Sequence, residues 1–188
     1  MTKFTTHTID TAPEDSKALL EGAKSAYSFV PNLLGTMAEA PAVLEGYMTL
    51  SGIFDKTSFS ETERQIILMT NNRLNDCQYC MAAHTTISQM ANVPADVINA
   101  LRNDTPIANP KLEALRSFTA AINETRGWPS EKQLNAFIQA GYSQQNVLEV
   151  ILGTSFKVMS NYTNHIAETT LDPAFAPNAW AAKSKDAA

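Results

Sequence analysis

Cysteine is nearly absent from this chain: its 188 residues include two, Cys77 and Cys80, separated only by Gln78 and Tyr79. Two sulfurs so close cannot tie distant parts of a fold together. That excludes a disulfide-stapled scaffold and makes chemistry the better use of the pair. An excess of positive charge is missing as well. Fourteen Lys and Arg face nineteen Asp and Glu, for a net charge of −5. No basic cluster interrupts this balance, so neither nucleic acid nor an anionic membrane surface is an expected partner. No apolar run approaches the ~20 residues that span a bilayer. The stretch Met1–Lys17 holds no apolar core of the kind a signal peptide needs, so a reducing cytoplasm is the expected compartment. Alternating apolar and polar residues, the mark of a half-buried strand, are lacking, as is a glycine-rich phosphate loop.

What remains is helical. Hydrophobic residues make up 44% of the chain and charged residues 18%, the balance of a globular protein long enough to bury roughly 70% of its extended surface. Proline marks helix starts and glycine marks ends. A first helix is expected from about Pro13 to Phe29, and Pro31 and Pro41 open two more. Ser60-Glu61-Thr62-Glu63 is a capping-box sequence and predicts a helix from Glu61 to Leu74. Asn75-Asp76 breaks it, and the next helix covers about Cys77 to Asn92. Val93-Pro94 starts a short one ending near Arg102, and the polar stretch Asn103–Asn109 reads as a hinge between halves. Further helices are expected from Pro110 to Gly127, from Ser130 to Ala140, and from Gln144 to Ala167. The last carries Val147, Ile151, Thr154, Val158, Asn161 and His165 along one stripe. These elements divide the chain into an N-terminal arm (1–12), an all-α domain built of helical hairpins (13–172) and an alanine-rich arm (173–188), the last expected to lie loose or to drape over a partner subunit.

Cys77, Cys80 and His84 stand at i, i+3 and i+7, which is one face of a helix. The first turn of that helix holds both thiols, where unpaired N–H groups and the helix dipole favour a thiolate. A nearby imidazole can lower a thiol further or accept its proton. A thiolate with a second thiol one turn away can attack an oxidant and be resolved as a disulfide. Two small apolar residues meeting by chance is the blander reading. Half of a zinc site is another, with His84, His165 or His7 needed to complete it.

Four runs carry a likeness to a known family: Val30-Pro31-Asn32-Leu33-Leu34, Ala40-Pro41-Ala42-Val43-Leu44, Phe59 to Arg64, and Asn75 to Thr85 with its Cys-x-x-Cys-x-x-x-His block. Over residues 15 to 172 the chain resembles the AhpD-like alkylhydroperoxidase branch of the carboxymuconolactone decarboxylase family, and within it the peroxidase-related group. The run Asn161–His165 adds to the likeness. The resemblance implies an all-helical AhpD-like fold, a homo-oligomer (trimer or hexamer) and a redox-active thiol pair. It implies that Cys80 attacks the peroxide, that Cys77 resolves it and is the more exposed, and that His84 belongs to a proton relay. Two positions depart from the pattern. Gln65 stands where a relay glutamate is expected, twelve residues before Cys77, and Tyr79 stands where a histidine is expected. Gln65 cannot take a proton.

The other candidates have simpler readings beside their functional ones. Glu63 sits about 200° around the helix from Gln65 and is expected to serve the capping box rather than catalysis. Glu61 reads as a favourable first-turn charge. Tyr79 could donate its hydroxyl to a peroxide but is more simply packing. His165 reads as a core histidine bonded to Asn161, or as a lining of the thiol pocket. Met69, Met81 and Met90 read as core filling. The expected function is a thiol-dependent hydroperoxide reductase or thiol–disulfide oxidoreductase, with a small hydroperoxide as substrate, a separate thiol protein as reductant and no metal, haem or flavin. Two alternatives stay open. One is an acid–base enzyme acting on a small lactone, with Arg64 and Arg73 supplying a cationic pocket. The other is a redox-sensing oligomer whose relay has decayed.

Overall fold

The computed structural model describes residues 3–181. Among these residues all regular structure is helical. In chain order the α-helices are α1 (Glu14–Tyr27), α2 (Asn32–Met37), α3 (Pro41–Phe54), α4 (Glu61–Leu74), α5 (Gln78–Met90), α6 (Ala95–Asn103), α7 (Pro110–Thr125), α8 (Glu131–Gln139) and α9 (Gln144–Ala167), followed by a 3-10 helix, Pro173–Asn178. Local chemistry explains the boundaries. Ser60, Ser130 and Ser143 each accept from the backbone N–H three residues on, and the residue there bonds back, closing three capping boxes. Pro41 and Pro110 occupy first-turn positions, where the missing N–H costs nothing. Gly127 and Gly141, with φ of 85° and 97°, follow α7 and α8 in the left-handed conformation that favours glycine.

The helix α4 lies at the centre and packs against α5, α6, α7 and α9. One cluster of buried side chains gathers around it from α3 to α9 and includes Phe54, Ile66, Met69, Leu115, Phe118, Phe137 and Val150. Phe137 stacks between Phe118 and Tyr142, with ring centroids 4.3 and 4.4 Å apart. Helices α4 and α7, on either side of the 104–109 connection, pack against each other. A second cluster lies under α1, α2 and α3. It combines Leu20, Leu33, Leu34 and Leu44 with Cys77 and Cys80. At Gly153 of α9, an added Cβ would stand 2.7 Å from both Ile67 and Phe54, so glycine sets how closely α9 approaches its neighbours.

The two arms pack on their own chain. His7 donates its backbone N–H to the Gly35 carbonyl at 3.0 Å, so residues 3–12 strap α2. At the other end, Phe175 is buried, and Arg102 donates to the carbonyls of Asn178 and Ala179. Residues 173–181 are therefore docked, not loose as the composition predicts. The remainder of that expected arm, 182–188, lies outside the described residues. No helix among the described residues is long and apolar enough to cross a membrane.

Candidate active site

The chain turns sharply between α4 and α5. Asp76 takes a left-handed φ of 55°, and Cys77 becomes the N-cap of α5, donating its N–H to the Asn72 carbonyl at 2.8 Å. Cys80 follows in the first turn. Asparagine amides hold this corner: Asn72 donates to the Cys80 carbonyl at 3.2 Å, Asn161 to Asn72 at 3.0 Å, and Asn75 to Asn161 at 2.9 Å. Cys77 is 1% exposed and Cys80 2%, so the expected greater exposure of Cys77 is not found. Both lie beneath the α1–α3 layer.

The inward stripe of α9 faces the two sulfurs. Lys157, Ser160, Asn161 and Asn164 are all buried there. Asn164 donates its Nδ2 to Cys80 Sγ at 3.1 Å and lies 3.8 Å from Cys77 Sγ, and Ser160 Oγ is 3.8 Å from Cys80 Sγ. Burial alone raises the Cys80 thiol. The hydrogen bond from Cys77, the charge of Lys157 and the Ser160 hydroxyl outweigh it and bring Cys80 down to about 5. Cys77 moves the other way, because its S–H donates to the Cys80 sulfur and burial disfavours a second anion. Of the two sulfurs, Cys80 is therefore the one that favours the thiolate and Cys77 the one that favours the thiol.

His84 stands one turn past Cys80, yet it hydrogen bonds to neither sulfur. Its Nδ1 is 2.9 Å from Gln65 Oε1, and its Nε2 is 3.0 Å from Lys157 Nζ. Gln65 in turn donates its Nε2 to Glu61 at 2.8 Å. That last bond fixes which way the amide points. Its oxygen must accept from His84, so Nδ1 carries the proton and Nε2 offers a lone pair to Lys157. Burial, and then the charge of Lys157, hold His84 well below its ordinary value, so the imidazole is neutral. The group that His84 reaches on the side away from Gln65 is Lys157.

The remaining expected residues separate. Tyr79 is buried and donates its hydroxyl to Asp172 at 2.5 Å while accepting from the Leu33 N–H at 3.2 Å, so it anchors α2. Burial, then the bond to Asp172, raise its phenol. Glu63 closes the capping box with Ser60 and accepts from Tyr142 at 3.0 Å, far from the thiols in function as in contacts. Burial works against its ionised form, but these bonds prevail and lower it. His165 is exposed, with the Tyr162 ring as its aromatic neighbour at 6.4 Å, and Asn161 bonds to Asn72 instead. This corrects the expected core histidine. The inward stripe of α9 lies about 100° around from the predicted one. Met69 and Met81 are buried, but Met90 is 79% exposed.

Arg64 bonds to Glu61 and to the Phe59 carbonyl, and Arg73 pairs with Asp104. Neither forms a cationic pocket at the thiols. His7 is occupied by Glu39 at 2.6 Å. Among the described residues no group of three His, Cys, Asp or Glu stands close enough to hold a metal ion.

Sequence reasoning misses Lys157, Ser160 and Asn164 as site residues. A signal was available: Gly153, Lys157, Ser160 and Asn164 recur at helical spacing, as regularly as the apolar stripe that draws the eye.

No protein-family model and no curated protein matches the chain. Solved structures do. An uncharacterized peroxidase-related protein from Ralstonia eutropha JMP134, described as an alkylhydroperoxidase AhpD core, aligns at a TM-score of 0.82 with 18% identity over 92% of this chain and 93% of that one. The debrominase Bmp8, as a cysteine-to-alanine variant in complex with 2,3,4-tribromopyrrole, aligns at 0.79 with 16% identity over 95% and 96%. An uncharacterized peroxidase-related protein from Silicibacter sp. TM1040 aligns at 0.77 with 18% identity over 93% and 97%. With more than nine-tenths of each chain covered, the chain has the all-helical fold of the AhpD core.

Proposed function

We propose that this chain is a thiol–disulfide oxidoreductase that reduces hydroperoxides, with Cys80 as the attacking sulfur and Cys77 as the resolving one. The observation that carries this reading is the asymmetry of the pair. Asn164, Ser160 and the charge of Lys157 all converge on Cys80, whose thiol is brought to about 5, while Cys77 keeps its proton. The Cys80 thiolate attacks the terminal oxygen of the hydroperoxide. The O–O bond breaks, Cys80 becomes a sulfenic acid and an alkoxide leaves, to be protonated to the alcohol. The Cys77 sulfur then attacks the Cys80 sulfur. The disulfide forms, and hydroxide departs with the Cys77 proton as water. A dithiol reductant restores both thiols and is itself oxidised to a disulfide. Asn164 Oδ1 is buried without a protein partner among the described residues, and it offers an acceptor for the hydroperoxide O–H.

Mixing the reduced protein with tert-butyl hydroperoxide tests this. One peroxide should be consumed and two thiols lost per chain. Cys80→Ser should consume none, and Cys77→Ser should accumulate a sulfenic acid that dimedone traps. Equal consumption by wild type and Cys80→Ser would overturn the assignment.

A second reading draws on the debrominase neighbour. The same thiolate could take the bromine of a bromopyrrole, leaving a carbanion that gains a proton. Cys77 would then displace bromide to give the disulfide. Bromide release from 2,3,4-tribromopyrrole by the reduced protein, faster than peroxide consumption, would favour it. The lactone reading has little support, since Arg64 and Arg73 are engaged elsewhere. For assembly, α9 supports a homo-oligomer: Leu148, Ile151, Tyr162 and Ile166 line its outward face, at 67%, 43%, 52% and 69% exposure.

A further inference from the structure

Lys157 is fully buried, and among the described residues no carboxylate pairs with it. A buried ammonium is costly unless something nearby carries the opposite charge. The ionisable groups from the elements around Cys80 are Cys77, Tyr79 and His84 on the α5 side, Lys157 on α9 and Tyr47 on α3, and burial and its bond to Asp172 keep Tyr79 neutral. Tyr47 is held in its neutral form by burial, His84 is neutral and Cys77 keeps its proton. Cys80 is left as the counter-ion. The lysine is also held in place. Its Nζ donates to His84 Nε2, and Glu61 and Gln65 fix the tautomer that accepts. Ser160 and Asn164, one and two turns further along the same stripe, touch Cys80 directly.

The geometry points to Lys157 as the proton donor to the leaving oxygen, with His84 and Gln65 as positioning residues that hold it. This inference rests on the proposed peroxidase reading and supplies the proton that reading leaves unassigned. The Cys80 thiolate, the Cys77 thiol, the hydroperoxide and the Lys157 ammonium give the disulfide, an alcohol, water and the neutral amine. After reduction of the disulfide, the Cys80 thiol returns its proton to the amine. The relay then ends at Gln65, which matches a residue that cannot itself take a proton. A glutamate is not needed at that position if the acid comes from α9.

The test compares reagents whose leaving groups differ in their need for a proton. Iodoacetamide releases iodide, peracetic acid releases acetate, and tert-butyl hydroperoxide must release an alkoxide. Each rate is referred to the thiolate fraction read from that protein's own pH profile of alkylation. Lys157→Met should then alkylate within about threefold of wild type but lose roughly 100-fold or more with tert-butyl hydroperoxide, and under tenfold with peracetic acid. Its alkylation midpoint should also move up. Lys157→Arg keeps the charge without a transferable proton. It should keep the low midpoint and still lose the alkyl hydroperoxide reaction. If neither variant folds by circular dichroism, wild type alone decides, because a proton donor flattens the dependence of rate on leaving-group acidity. A steep dependence in wild type, or an equal loss on all three reagents in Lys157→Met, overturns the role of Lys157 and leaves the peroxidase reading standing. No hydroperoxide consumption by wild type overturns both.

Discussion

The two regions of the interior are built on opposite terms, although α4 and α9 border both. Around α7 and α8 the interior is dry. Phe118, Phe137 and Tyr142 stack, and Leu115 and Val150 are fully enclosed. Beneath α1–α3, α4 and α9 bring the buried polar side chains of Gln65, Asn72, Lys157, Ser160, Asn161 and Asn164 around His84 and the two cysteines. A dry core gains from each apolar surface it removes from water. A polar core at best breaks even, since each buried group must find a partner to offset its lost hydration. The first region therefore holds the fold together, and the second spends stability on holding one charge and one proton in place.

If that division is right, substitutions in the two regions should fail differently. Phe137→Ala should cost about 3–5 kcal/mol in urea unfolding, while the alkylation rate of Cys80 per folded molecule stays the same. A change in that rate would blur the distinction. Asn164→Ala should act on the site. Losing a bond to a thiolate, worth roughly 1.5–3 kcal/mol, should raise the midpoint of the alkylation profile by about one to two units, with unfolding little changed at pH values below the wild-type midpoint, where Cys80 is a thiol. In wild type that midpoint should lie near 5. Linkage fixes the sign of the stability profile. The lowered Cys80 thiol contributes stability that is complete above its unfolded value of about 9.0 and is lost as pH falls through about 5. The raised Cys77 thiol contributes stability that is complete below the same value and is lost as pH rises above it. Stability should climb from pH 5 toward 9 and fall beyond, and Cys80→Ala should abolish the part of the climb above about 6.5, below which the lowered His84 contributes a climb of its own.

Two smaller changes sharpen the comparison at its border. Gly153→Ala places a methyl against Ile67 and Phe54 and should cost about 1–3 kcal/mol by overpacking. Because Gly153 lies on the same stripe as Lys157, a concurrent rise in the alkylation midpoint would show that the dry contact sets the position of the charged one. Ser60→Ala removes the α4 cap and should cost about 1 kcal/mol, with the midpoint unmoved. A shift there would mean that the start of α4 also positions Gln65.

Much of the helical frame was legible. The spans of α4 and α9 are legible as they occur, the first from a capping box within four consecutive residues and the second from the stop at Gly141 and a periodic stripe after it. The docking of residues 173–181 was not legible, since Arg102 and Phe175 meet partners distant in sequence. The site was half legible. Cys77, Cys80 and His84 announce themselves by spacing, but the contact that matters to His84 comes from Lys157, 73 residues away. The same blindness placed His165 inside. The outward face of α9 carries Leu148, Ile151 and Ile166, and a rule that turns apolar residues inward is drawn to that side as well.

By itself the sequence determined where helices begin and end and that two thiols share a first turn with a histidine after them. Those features depend on backbone hydrogen bonds closed within a few residues. Only the tertiary structure decided which side of α9 faces the sulfurs, and with it which thiol carries the charge. That choice depends on whether Asn72, His84 and Cys80 stand opposite to satisfy Asn161, Lys157 and Asn164, and partners supplied by another helix leave no periodic trace in their own.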